Sequence, residues 1–148
     1  MEAAAAERAP GRAPAEEDEL SVRVAVRLRP LLPAEQVGGA QTCIRPARRP
    51  NEVVLGKGKG AKRFTFDAAF AEDAPQDRVF DEMALPLVNN VFEGYNATLF
   101  AYGQTGSGKT FTMGSSNKTV GFDAEVGMIP RVVRSIFDRL EELSLIHI

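Results

Sequence analysis

The sequence predicts an α/β fold on three observations. Val22, Val24, Val26 and Leu28 alternate with Arg23, Ala25, Arg27 and Arg29, the period of two that a strand with one covered face shows. Val132, Val133, Ile136, Phe137 and Leu140 recur instead at helical spacing. Between these segments the mostly apolar run Ala97–Tyr102 leads directly into a glycine-rich stretch, Gly103–Thr110, and then into a short helical pattern, which makes a strand–loop–helix unit.

Taken in order, residues 1–20 are rich in Ala, Pro and Glu with no apolar periodicity, and read as a disordered leader. The strand at 22–29 is stopped by Pro30 and Pro33, because proline has no N–H for a sheet ladder. Glu52–Leu55 and Arg63–Asp67 read as short strands joined by a turn over Gly56–Ala61. A helix begins at Asp73 or Ala74 with Pro75 in its first turn, where a missing N–H costs little. Val79, Phe80, Met83, Leu87, Val88, Val91 and Phe92 form its apolar face. Pro86 should kink or split it, and Gly94 should end it. Ala97–Tyr102 has little alternation, as expected of a strand covered on both faces. A polar loop from Gly114 to about Glu125 follows, and Pro130 opens the last helix.

Composition excludes several classes. A hydrophobic content of 44% suits one packed domain in a chain of 148 residues. No apolar run reaches the roughly 18 residues of a membrane span. The N-terminus lacks a secretory core, since Ala3–Ala6 meets Glu7 and Arg8 at once. Cys43 is the single cysteine and His147 the single histidine, so neither an internal disulfide nor a zinc site is available, and a reducing, cytoplasmic setting is expected. The net charge of −2 is unevenly spread: residues 21–63 carry ten bases and two acids. Arg45, Arg48, Arg49, Lys57, Lys59, Lys62 and Arg63 are interleaved with Gly and Pro, and read as a solvated loop rather than a nucleic-acid surface.

Gly103-Gln104-Thr105-Gly106-Ser107-Gly108-Lys109-Thr110 matches G-x-x-x-x-G-K-[ST] in full. A phosphate chain needs backbone N–H groups converging on it, and side chains would block that approach. The three glycines leave the backbone bare. Lys109 places an ammonium on the β- and γ-phosphates, the Thr110 hydroxyl suits Mg²⁺, and the next helix aims the positive end of its dipole at the same anion. The pattern alone leaves GTPases, AAA-type ATPases and kinases open.

The surroundings narrow that choice. The block from Gly94 to Gly114, EGYNATLFAYGQTGSGKTFTMG with its leading Glu93, resembles the phosphate-loop block of the kinesin superfamily. Val24–Pro30 is similar to that family's first strand with its R-x-R-P ending. Phe64–Phe70 resembles its F-x-F-D-x-x-F strand, Gln76–Phe80 with Pro86–Val88 its next helix, and Gly127–Arg131 the helix after the loop. The resemblance covers about residues 21–143, so 21–148 is read as a partial motor domain. The implied fold is a phosphate-loop NTPase with a mixed central sheet flanked by helices, here truncated. The resemblance further implies that Arg27, Arg29 and Pro30 flank an adenine, that ATP and Mg²⁺ are the cofactors, and that microtubules are the partner. It implies cytoskeletal localisation and a longer protein dimerised by a coiled coil. Phe80 is open to a role beside the base or in the core, and Tyr102 to packing. The opening strand, Tyr95–Thr98 and the 114–125 loop look most like the kinesin-4 group, which includes chromokinesins and ciliary Hedgehog-pathway kinesins.

The family's switch strings, N-x-x-S-S-R-S-H-like and D-L-A-G-S-E-like, do not occur in these 148 residues, and Ser144–Ile148 does not resemble the family's continuation. A truncated or mis-spliced product, or an incomplete sequence, is expected. A phosphate cradle without the elements that position water is a poor ATPase. Two readings follow: part of a microtubule-stimulated ATPase, itself inactive, or a non-catalytic nucleotide- or partner-binding fragment.

Overall fold

A computed structural model describes residues 22–114 and 125–146. The expected leader and nearly all of the polar loop after Gly114 lie outside the described residues. In chain order the elements are β1 (Ala25–Arg27), α1 (Pro33–Val37), β2 (Ile44–Pro46), β3 (Glu52–Leu55), β4 (Lys62–Thr65), β5 (Ala68–Phe70), α2 (Gln76–Met83), α3 (Leu85–Phe92), α4 (Lys109–Met113) and α5 (Met128–Ile146), with a 3-10 turn at Gly58–Gly60.

The α/β class holds, with parallel and antiparallel pairing both present but in two separate small sheets. β1 and β5 run parallel, with Ala25 opposite Ala68 and Arg27 opposite Phe70. Leu28 N–H continues that ladder to the Phe70 carbonyl at 2.9 Å. β2, β3 and β4 form an antiparallel trio. The expected strand over Arg63–Asp67 is present as β4 up to Thr65, and Phe66–Asp67 forms a junction. Phe66 N–H still bonds the Asn51 carbonyl at 2.9 Å, whereas Asp67 N–H bonds Val24 at 2.9 Å, so the chain passes from one sheet to the other between neighbouring residues. This handover limits the coverage of the first strand. β5 begins opposite Ala25, so Leu28 is buried while Val22 and Val24 remain exposed, despite their alternation. Pro33 does not merely stop that strand; it opens α1, in whose first turn its fixed φ is an asset.

α2 begins at Gln76, later than the expected Asp73 or Ala74, so Pro75 is its N-cap rather than part of its first turn, and Pro86 splits the expected long helix in two, with Ala84 as the hinge. Pro86 falls in the first turn of α3, where a missing N–H costs little. Gly94 ends α3 at φ 93°. Its N–H bonds Val91 O and the Tyr95 N–H bonds Asn90 O, both at 3.0 Å, the paired bonds of a Schellman stop. The core gathers Ala68 and Phe70 of β5, Ala74, Val79, Phe80 and Met83 of α2 and its approach, Ala84, and Met128 of α5. α5 begins at Met128, two residues before the expected Pro130, and its inward positions are Met128, Val132 and Ile136. Gly127 rests on Gly114 so closely that a Cβ there would overlap the Gly114 carbonyl.

One expectation is corrected. Ala97–Tyr102 is extended but belongs to neither sheet. Leu99 alone packs against the core, while Phe100 and Tyr102 are exposed. A strand exists only through a ladder partner, and no strand among the described residues lies alongside this run. Tyr102, 96% exposed, therefore does not pack as the sequence suggested. No helix among the described residues is long and apolar enough to cross a membrane.

Candidate functional site

Gly103–Gly108 is a loop that runs into α4, whose first two residues are Lys109 and Thr110. Gly106 and Gly108 adopt φ of 78° and 96°, a left-handed backbone that a residue with a Cβ adopts only at a cost of about 1–2 kcal/mol. Gly108 sits immediately before α4, and its carbonyl accepts from Thr112 N–H at 2.9 Å. The Lys109 ammonium donates to the carbonyls of Gly103 and Gln104, each at 2.8 Å, and so draws the loop around itself. α4 has only five residues, so the dipole at its N-terminus is small.

The loop faces the end of β1 across a cavity of about 660 Å³. That volume lies within the range of small-molecule sites. On one side stand Gly106 through Thr112; on the other stand Arg27, Leu28, Arg29, Pro30, Leu32 and residues 72–76. Gly103, Gln104 and Thr105 are not in the wall; Gly103 and Gln104 act on it through the carbonyls that hold Lys109. Phe80 is buried in the core and lines a different cleft, of about 320 Å³, beside α3 and α5.

The two arginines of the strand end have distinct settings. Arg29 makes a bidentate ion pair with Glu35, at 2.9 and 2.7 Å, and also donates to the Pro30 carbonyl at 2.9 Å. Glu35 accepts a further bond from Leu32 N–H at 2.8 Å. The Arg29 hydrogen bonds, and then the Leu32 N–H, hold the Glu35 carboxyl down at about 2, and the Glu35 bond in turn raises the Arg29 pKa. This clamp fixes Pro30 and α1 at the cavity mouth. Arg27 is turned inward. Its Nη1 donates to Gln76 Oε1 at 2.7 Å and to Thr112 Oγ1 at 3.1 Å, and its Nη2 donates to Ala74 O at 3.0 Å. The guanidinium also lies 5.2 Å from the Phe111 ring centroid. Burial pushes its pKa down from the ordinary value.

Sequence reasoning missed Gln76, Thr112 and Glu35. Glu35 had a signal, lying three residues beyond Leu32 at the start of a Pro-opened turn, the spacing at which a carboxylate reaches back to a free N–H. Gln76 had none, because its partners lie 35 and 49 residues away.

For a metal, no cluster of three or more His, Cys, Asp or Glu able to hold an ion occurs among the described residues. Thr110, on the exposed rim of the loop, offers one hydroxyl. Such a donor set fits Mg²⁺ only where phosphate oxygens and water complete the octahedron.

These features coincide with one family. Residues 27–146 match the model of the kinesin motor domain. The chain belongs to the kinesin family. Among kinesin relatives, human kinesin-like protein KIF27 is 42% identical over 125 residues, covering 84% of this chain and 9% of its own length. Human kinesin-like protein KIF7 is 42% identical over 141 residues, covering 95% and 10%. Kinesin-like protein KIN-4A of Arabidopsis thaliana is 42% identical over 131 residues, covering 86% and 12%. The chain thus spans about a tenth of the length of these kinesins, within the stretch that contains the phosphate loop.

Proposed function

We propose that this chain is the ATP-binding part of a kinesin motor that works on microtubules in the cytoplasm. The observation that carries the reading is the cavity in which Gly106–Thr110 faces the Arg29–Pro30 strand end. On this reading the triphosphate lies along the loop, where Lys109 exchanges the Gly103 and Gln104 carbonyls for β- and γ-phosphate oxygens. The base lies toward Arg29 and Pro30, with the stem of Arg27 behind it. Thr110 contributes one oxygen to Mg²⁺, which when bound neutralises phosphate charge. Kinship with the kinesin-4 group rests on the opening strand and on Tyr95–Thr98. Dimerisation belongs to the longer protein and is proposed from the family alone.

A second reading has its own support. The residues in hand contain neither switch string, so nothing among them both senses a γ-phosphate and reaches a microtubule; this segment binds nucleotide without turning it over. One set of measurements addresses both readings. Fluorescent ATP should bind the chain, and Lys109→Ala should weaken it on the order of thirtyfold or more, since loss of a charged contact in a partly buried site is worth about 2–5 kcal/mol. Equal affinities would refute the phosphate-loop assignment. Phosphate release from the same chain should not rise when polymerised tubulin is added; a clear rise would remove the binding-only reading.

A further inference from the structure

Gln76 is the one polar side chain that is buried among the described residues, at 3% exposure. It does not have a polar atom to spare for a ligand. Its Oε1 accepts from Arg27, and its Nε2 donates to Phe111 O at 2.6 Å and to Glu125 O at 3.2 Å. These bonds join three pieces that the sequence keeps far apart: β1, which ends at Arg27 and leads into Arg29 and Pro30; α2, which begins at Gln76; and α4, which continues the phosphate loop. Arg27 doubles the link, reaching Thr112 of α4 directly. The two walls of the 660 Å³ cavity are thereby tied to each other by side chains that belong to the lining itself.

We infer that Gln76, acting with Arg27, is a positioning residue that sets the spacing between the phosphate loop and the base-side wall, and so selects ligands that carry both a triphosphate and a base. The inference rests on the nucleotide reading above and adds to it. A two-ended ligand gains from a rigid site because its second end binds as though at high local concentration, and that gain is lost when the geometry no longer permits both contacts. A ligand with only one end has nothing to lose. Deleting the strut therefore separates two affinities that a general weakening of the loop would lower together.

The experiment compares ATP with inorganic tripolyphosphate at one Mg²⁺ concentration, by calorimetry on the 148-residue chain. Wild type should bind ATP the more tightly. Gln76→Leu removes three partly buried hydrogen bonds and should weaken ATP about tenfold or more, while tripolyphosphate stays within about threefold. Thr112→Val deletes only the 3.1 Å link from Arg27 and leaves Gln76 in place. It should show the same pattern at about threefold for ATP, and it decides the matter if Gln76→Leu does not fold. ATP affinity unchanged in Thr112→Val and in a folded Gln76→Leu, or parallel losses for the two ligands, would overturn the inference while leaving the phosphate loop intact. Absence of ATP binding by the wild-type chain would overturn the nucleotide reading beneath it.

Discussion

Glu35 lies at the mouth of the cavity, half-exposed, with Arg29 on one side and the Leu32 N–H on the other. Its carboxyl ordinarily titrates near 4.5 and is held here near 2. A carboxyl depressed on folding contributes in full above its unfolded value and loses that contribution as pH falls through its folded one. The stability difference between wild type and Glu35→Gln should therefore be constant above about pH 4.5 and shrink toward pH 2, as read from denaturant midpoints across that window. A difference that grows on acidification would show that the clamp is not what depresses the group. The glycine-rich motif stands in consecutive positions, so its turns at Gly106 and Gly108 were legible in the sequence. The inward turn of Arg27 was not. Its alternation with Val26 and Leu28 indicated which face it occupies, but its partners are fixed only once α2 and α4 are brought against β1.

Helix ends were the most readable elements. Pro75, Pro86 and Gly94 fall where the backbone needs them, since each acts through its own φ rather than through distant contacts. Gly94 gives a clean test. No atom lies within 4 Å of where its Cβ would be, so Gly94→Ala adds strain without a clash. The left-handed φ of 93° should cost about 1–2 kcal/mol, and Gly94→Asn less, measured by thermal melting. An unchanged melting temperature for the alanine variant would mean that the Schellman stop does not hold α3. Strands were less readable. Phe64–Phe70 looks continuous in sequence and divides between two sheets, because pairing depends on partners some forty residues upstream and about a dozen residues upstream respectively. Ala97–Tyr102 carries the composition of a buried strand, yet composition cannot supply a neighbour.

For the molecule as a whole, α/β class and family were legible, and the division into two sheets was not. The apolar side chains of α5 show the same limit. Val133, Phe137 and Leu140 have helical spacing, but they lie on the exposed side while Met128, Val132 and Ile136 turn inward. Periodicity reveals that a helix has an apolar side, not that the side is covered. The contact of Gly127 with Gly114 has a consequence for how the chain can be edited. The two backbones meet at a neck between the end of α4 and the start of α5, so the contact brings positions 114 and 127 together. Lengthening a tethered segment weakens its closure only logarithmically, by about 0.6 kcal/mol for each doubling. Ten added Gly/Ser residues within 115–124 should therefore lower stability by roughly that amount. Gly127→Ala, which forces the neck apart, should do far more damage with a single methyl group. The neck is a port for inserted sequence, a tag or a reporter, held by the contact of Gly127 with Gly114.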